Sequence, residues 1–233
     1  MIKLIFFDLD NTLAPVGLPI PDDCLCRLKE LYASGIKMAV CSGKPVAYLN
    51  GFARKAGLPG IIMCGENGLT YQFGSDLPPV LSGHFPVEKS VMLSLEDIKN
   101  GFSERFEGKY WCQKNEFEFT PFPFREEYFP PMAEYLREKV KGTKLKVYYQ
   151  PDCFDVLPDG IDKGSALVNV CGLLGIDTRD TVTVGDHIND YPMFEKSAFS
   201  VGISLPDRTK ALFSVSSLAE ALDKVNEIIN NNQ

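Results

Sequence analysis

The sequence predicts an α/β fold: a doubly wound parallel sheet with a smaller α+β unit inserted into it. Three observations predict this. Short, continuously apolar runs such as LIFF (4–7) and MAVC (38–41) alternate with stretches at helical spacing, the pattern of strands covered on both faces. Polar residues follow directly on the ends of those runs. From about residue 73 to 153 the apolar runs give way to Pro, Phe and charge, after which the α/β alternation resumes.

The first strand ends in two aspartates one residue apart, Asp8 and Asp10, followed by Asn11 and Thr12. A carboxylate beside a core is costly unless it is paired, hydrogen-bonded or bound to a metal. Either a turn absorbs these acids, or a cation and a reaction need them. Pro21-Asp22-Asp23 then opens a helix carrying Leu25, Leu28, Leu31 and Tyr32, which Gly35 stops. IKMAVCSG (36–43) is a second strand ending in small polar residues, and a helix follows over about 45–57. GIIMCGENG (60–68) is a third strand running into a turn, where Glu66 and Asn67 either line a site or shape the turn.

In the middle region, residues 87–100 are expected to be helical. NEFEFT (115–120) alternates, with Phe117 and Phe119 on one face and Glu116 and Glu118 on the other, which predicts a half-exposed antiparallel strand. Phe117, Phe119, Phe122 and Phe124 are read as core of the inserted unit, and His84 as a loop residue. Residues 125–140 are helical after their prolines, and 144–149 and 153–158 are strands. Beyond them Ala166, Leu167, Val170, Leu173 and Leu174 form one helical face closed by Gly175. TVTVGD (181–186) is a strand ending in an acid, AFSVGI (198–203) another, and 217–229 a closing amphipathic helix.

The composition narrows the function classes. The 233 residues carry a net charge of -7, and no basic run accompanies it, so neither nucleic acid nor an anionic membrane is an expected partner. Asp8 interrupts the first apolar run too early for a signal peptide, and no apolar stretch approaches the roughly 20 residues of a membrane span. Seven cysteines, an odd number without a CxxC pair, read as free thiols in a reducing cytoplasm.

The chemistry-bearing residues fall just past strand ends: Asp8 and Asp10, Ser42 and Gly43, Glu66 and Asn67, and Asp186 with Asn189 and Asp190. Lys163 opens a helix at the return from the insertion. In open α/β sheets ligands bind beyond the carboxyl ends of the strands, so these segments are expected to share one rim. Several carboxylates at one rim call for a hard divalent cation, and Mg²⁺ bridges carboxylates to substrate phosphate. Asp8 is then placed to attack phosphorus, and Asp10 to protonate the leaving oxygen and activate water. Ser42, Gly43 and Asn189 would hold phosphoryl oxygens, with Lys163 neutralising the charge that develops.

In their order along the chain, DLDNT (8–12), CSGKP (41–45), the Lys163 of IDKG and GDHIND (185–190) resemble the four motifs of the haloacid dehalogenase superfamily of phosphatases and phosphotransferases. The insertion between the second and third motifs, flanked by GENGL (65–69) and FDVLPDGIDKG (154–164), is similar to the sugar-phosphatase and phosphomannomutase-like branch with its large α/β cap. The resemblance implies a Rossmann-like core over 1–73 and 160–233 and a cap over 74–159. It implies Asp8 as nucleophile, Asp10 as acid/base, Ser42 on the phosphate, and Mg²⁺ held by Asp8, the Asp10 carbonyl and Asp186, with Asp190 in support. The implied activity is hydrolysis of a small phosphorylated metabolite, a sugar phosphate first among them. A phosphomutase is the enzymatic rival and a non-catalytic phospho-ligand binder the other. Two positions depart from the family pattern. His187 stands where a small residue is usual, with a packing or hydrogen-bonding role expected. Lys44 replaces a common arginine, which removes a bidentate grip on phosphate. Specificity is expected from cap side chains, and the sequence does not say which of Lys89, Arg105, Lys114 or Arg125 faces the rim.

Overall fold

The computed structural model describes residues 1–232. Twelve strands are described: β1 Leu4–Asp8, β2 Lys37–Cys41, β3 Ile62–Gly65, β4 Thr70–Phe73, β5 Leu81–His84, β6 Tyr110–Gln113, β7 Thr120–Pro123, β8 Leu145–Tyr149, β9 Phe154–Pro158, β10 Thr181–Gly185, β11 Phe199–Ile203 and β12 Phe213–Val215. The α-helices are α1 Asp22–Ala33, α2 Val46–Ala56, α3 Lys89–Arg105, α4 Phe129–Lys139, α5 Lys163–Leu174, α6 Tyr191–Lys196 and α7 Leu218–Asn231.

Eight strands form one sheet in the order β12-β11-β10-β1-β2-β3-β4-β5. The strands from β12 to β3 run parallel, and β4 and β5 add an antiparallel edge. β1 lies at the centre because both of its faces are apolar. Ile5 and Phe7 pack with Leu28 of α1, Leu49 of α2 and Val225 of α7, while Leu4 and Phe6 pack with Leu167 and Val170 of α5 and Met193 of α6. Period-two alternation with apolar residues on both sides is what two helical layers require. The register sets Asp8 opposite Cys41 and Phe7 opposite Val184, so β1, β2 and β10 end at the same rim.

The inserted unit has its own core. α3 and α4 cover the β6–β7 and β8–β9 hairpins through Leu95, Phe102, Met132, Leu136, Phe154 and Val156. A bridge between Phe119 and Val156 joins the two hairpins.

Several expectations need correction. NEFEFT is not a strand: apart from the single bridge of Phe119 to Val156, ladder pairing begins at Thr120, and residues 114–118 form a loop. Glu118 is 1% exposed and lies buried beside Phe119, so the alternation does not sort the two faces. The physical reason is that this loop turns toward the main sheet and satisfies its polar groups there. Of the phenylalanine stripe only Phe119 joins the cap core. Phe117 stacks on His84 with ring centroids 4.4 Å apart, Phe122 packs on Trp111, and Phe124 is exposed. His84 is a strand residue paired with Thr70, so the main sheet continues past residue 74, where the cap was expected to begin.

Candidate active site

Asp8 is the last residue of β1 and is buried. The chain turns immediately after it, with Asn11 in the left-handed region at φ 59°. Asn tolerates that region because its short polar side chain bonds locally. Thr12 Oγ1 donates to Asp186 Oδ1 at 3.1 Å, which ties this turn to the loop after β10.

Lys163 is the first residue of α5. Asp162 caps the helix by accepting from the Ser165 N–H at 2.8 Å, and its own N–H donates to Ser165 Oγ at 3.0 Å. That capping box fixes where the helix starts, and so where Lys163 points. The lysine is 2% exposed, and its Nζ donates to Asp8 Oδ1 and Asp190 Oδ1, each at 2.6 Å. Burial by itself would lower its pKa, but the charges of Asp190 and Asp8 outweigh burial and raise it, so the ammonium stays charged. Asp190 is fully buried, and its Oδ2 accepts from the N–H groups of Asp186 at 2.8 Å and His187 at 3.0 Å. A Cβ at Gly185 would overlap the Asp190 carboxylate, so only glycine fits there.

Oxygens of Asp8, Asp186 and Asp190 all lie within 4.8 Å of one another. Burial, then the charges of Asp8 and Asp190, push Asp186 up to about 7. Three carboxylates in that space repel, and an oxygen-seeking divalent cation would relieve the repulsion. The donor set is all hard oxygen and suits Mg²⁺. Asp190 has both oxygens engaged by protein donors, so Asp8 and Asp186 are the carboxylates better placed to bind, with Asp190 bracing them from behind.

The second-strand loop lies alongside. Asn67 N–H donates to the Ser42 carbonyl, and Lys44 N–H to Ser42 Oγ at 3.3 Å. The Lys44 ammonium is ion-paired with Asp10. Glu66 and Asn67, both at positive φ, shape the turn, and Asn67 also lines the site. Both hold the cap: Asn67 Nδ2 donates to Glu118 Oε1 at 3.0 Å, and Glu66 Oε2 accepts from Phe117 N–H at 2.6 Å. Gln113 and Asn115 donate their amides to the Gly43 carbonyl at 2.8 and 3.1 Å.

A cavity of about 450 Å³ opens between rim and cap. Asp8, Asp10, Ser42, Gly43, Lys163, Asp186 and Asn189 line it, as does His187, whose N–H is committed to Asp190. Asp190 lies behind its wall. Of the four cap cations singled out from the sequence, none lines it. Arg105 stacks on Phe106 and Tyr135, and Arg125 pairs with Glu127. The cap side is instead built from Gln113, Thr120, Phe122, the turn at 150–153 and Asp155. Sequence reasoning missed these because a hairpin turn such as QPDC shows nothing of what it faces.

The sequence model of the haloacid dehalogenase-like hydrolases matches residues 5–75 and 113–206. A phosphoglycolate phosphatase of Methanoculleus marisnigri is 25% identical over 210 residues, 90% of this chain and 87% of that protein. An HMP-PP phosphatase of Yersinia pseudotuberculosis is 23% identical, over 91% and 88% of the two chains. Among solved structures, a haloacid dehalogenase-like hydrolase from Bacteroides thetaiotaomicron superposes with a TM-score of 0.77 at 18% identity, covering 97% of this chain and all of that one. A subclass IIB sugar phosphatase superposes with a TM-score of 0.70 at 18% identity, over 97% and 98%. Matched over well more than half its length, the chain belongs to the haloacid dehalogenase-like hydrolase family.

Proposed function

We propose that this chain is a Mg²⁺-dependent phosphatase that hydrolyses a small phosphorylated metabolite, a sugar phosphate first among them, through an aspartyl-phosphate on Asp8. The observation that carries the reading is the buried Lys163 clamped between Asp8 and Asp190, beside Asp186 and the Ser42–Gly43 loop, in one cavity closed by the cap. The names of the relatives support a small phosphorylated substrate, and that of the structural neighbour a sugar phosphate.

In this reading Lys163 holds Oδ1 of Asp8 and orients the other oxygen for attack on phosphorus. The bond to the ester oxygen breaks as Asp10 gives that oxygen a proton. Asp10, again a carboxylate, then takes a proton from the water that cleaves the acyl phosphate, releasing inorganic phosphate and restoring Asp8. Ser42, the Gly43 and Lys44 N–H groups and Asn189 receive the equatorial oxygens. Mg²⁺, held by Asp8, the Asp10 carbonyl and Asp186, would neutralise charge on the phosphate. The cap excludes water during the first step. A cytoplasmic setting suits the seven free cysteines, and no helix among the described residues is long and apolar enough to cross a membrane.

The test is phosphate release from a panel of sugar phosphates, short acid phosphates and nucleotides, with Mg²⁺ and with EDTA. Release that needs the metal is expected. Isomerised sugar phosphate in the presence of catalytic hexose bisphosphate would point to a mutase, and no release from any ester to a binding protein.

A further inference from the structure

The two ends of the cavity differ in charge. At the phosphate end both lysines that line it are already engaged, Lys163 with Asp8 and Asp190 and Lys44 with Asp10. The cap wall opposite offers two amides and two acids, Gln113, Gln150, Asp152 and Asp155, and no lysine or arginine among the described residues. Gln150 Nε2 donates to Asp155 Oδ2 at 3.3 Å, so the amide that could have received an anion is turned to an acid of the same wall. Gln113 likewise spends its donor on Gly43. Behind Asp155 lies buried Glu118, hydrogen-bonded to it. Burial, then the charge of Asp155, push Glu118 well up, while the hydrogen bond from Glu118 opposes the rise that burial gives Asp155, so of the two Glu118 is the one that holds the proton. Lys99 stands near Glu66, Cys112 and Glu118 but does not line the cavity.

We propose that this wall selects phosphomonoesters whose far end is a neutral polyol or an amine and turns away those whose far end is a carboxylate or a second phosphate. The inference rests on the phosphatase reading and adds to it the charge of the group that must face the cap. A carboxylate brought against Asp152 and Asp155 meets like charge in a partly dehydrated space and finds no cation to offset it. Hydroxyls and ammonium groups donate to the same oxygens.

The test compares esters matched in length. Glucose 6-phosphate, glucosamine 6-phosphate and 6-phosphogluconate form one set; glycerol 3-phosphate and 3-phosphoglycerate form another. In each set the carboxylate member is expected to show kcat/KM lower by about tenfold or more, with glucosamine 6-phosphate at least equal to glucose 6-phosphate. The exposed Asp152 allows a reversal: Asp152→Lys is expected to shrink the discrimination about tenfold, and Asp152→Asn to shrink it less. Equal or better turnover of the carboxylate esters, or a ratio that neither variant moves, overturns the selectivity while leaving the phosphatase reading in place. Release from no ester at all overturns both.

Discussion

Lys163 is the residue on which the site balances. Its ammonium is buried and its two partners are the carboxylates of Asp8 and Asp190. Removing the lysine leaves two buried carboxylates without a countercharge, at a cost of about 3–5 kcal/mol. Asp8→Asn keeps an oxygen for Lys163 while removing the nucleophile. Turnover is expected to fall at least about a thousandfold, with the melting temperature within a few degrees of the parent. Normal turnover by this variant would refute the covalent step. Five acids also give the metal-free protein a distinctive pH response. Burial raises Asp186, to about 7, and raises Glu66, Glu118, Asp155 and Asp190 as well. The folded state therefore binds more protons than the unfolded chain above the ordinary carboxylate range. Stability is expected to fall as pH rises from about 4 toward 7, by on the order of 1 kcal/mol from Asp186 after discounting its partial exposure. Melts in EDTA across that range check the sign. Added Mg²⁺ should flatten the slope, and Asp186→Asn should remove both its share of the slope and the effect of the metal.

At the scale of the element, α5 carries the lysine and its seat is tight. Gly68, at φ +99°, presses its bare Cα against Ala166, and a Cβ at Gly164 would collide with the carbonyl of Pro192 in α6. Both contacts lie in the first turn of α5, next to Lys163. Gly164→Ala is expected to destabilise the protein by about 1–3 kcal/mol through overpacking and to lower kcat more than it raises KM, because the helix start shifts with its ammonium. Thermal melts and steady-state kinetics test this together; a variant with parental values of both would show that the helix start has slack. The short strands β5 and β12 belong to the same scale. LSGH and FSV carry little strand signal of their own and are strands because a neighbour's edge offers them partners.

For the molecule as a whole, the decisive contacts join the cap to the rim. The loop over residues 113–118 bonds to Gly43 through Gln113 and Asn115, to Glu66 through the Phe117 N–H, and to Asn67 through Glu118. Each such bond contributes about 0.5–1.5 kcal/mol. Replacing Gln113 and Asn115 together by alanine is expected to weaken closure, lowering kcat/KM about tenfold and speeding amide exchange at residues 42–44 and 113–118. Exchange in β1 and β10 should stay at its parental rate; a change there instead would mean that the two amides stabilise the main sheet.

The primary structure by itself determined the parallel α/β core and which residues stand at the ends of β1, β2 and β10. Those features follow from local patterns: continuous apolar runs for strands covered on both faces, and acids directly after a strand. Only the tertiary structure decided the rest. NEFEFT has the alternation of a strand, yet Glu118 is buried, because Asn67, 51 residues away in sequence, supplies its partner. Lys44 reads as a replacement for a phosphate-gripping arginine, and the structure pairs it with Asp10. The cap wall is built from Gln113, Gln150, Asp152 and Asp155 and not from the cations that the sequence displays. Periodicity records which side of an element is apolar; it carries no information about which distant polar group will meet it across a cavity.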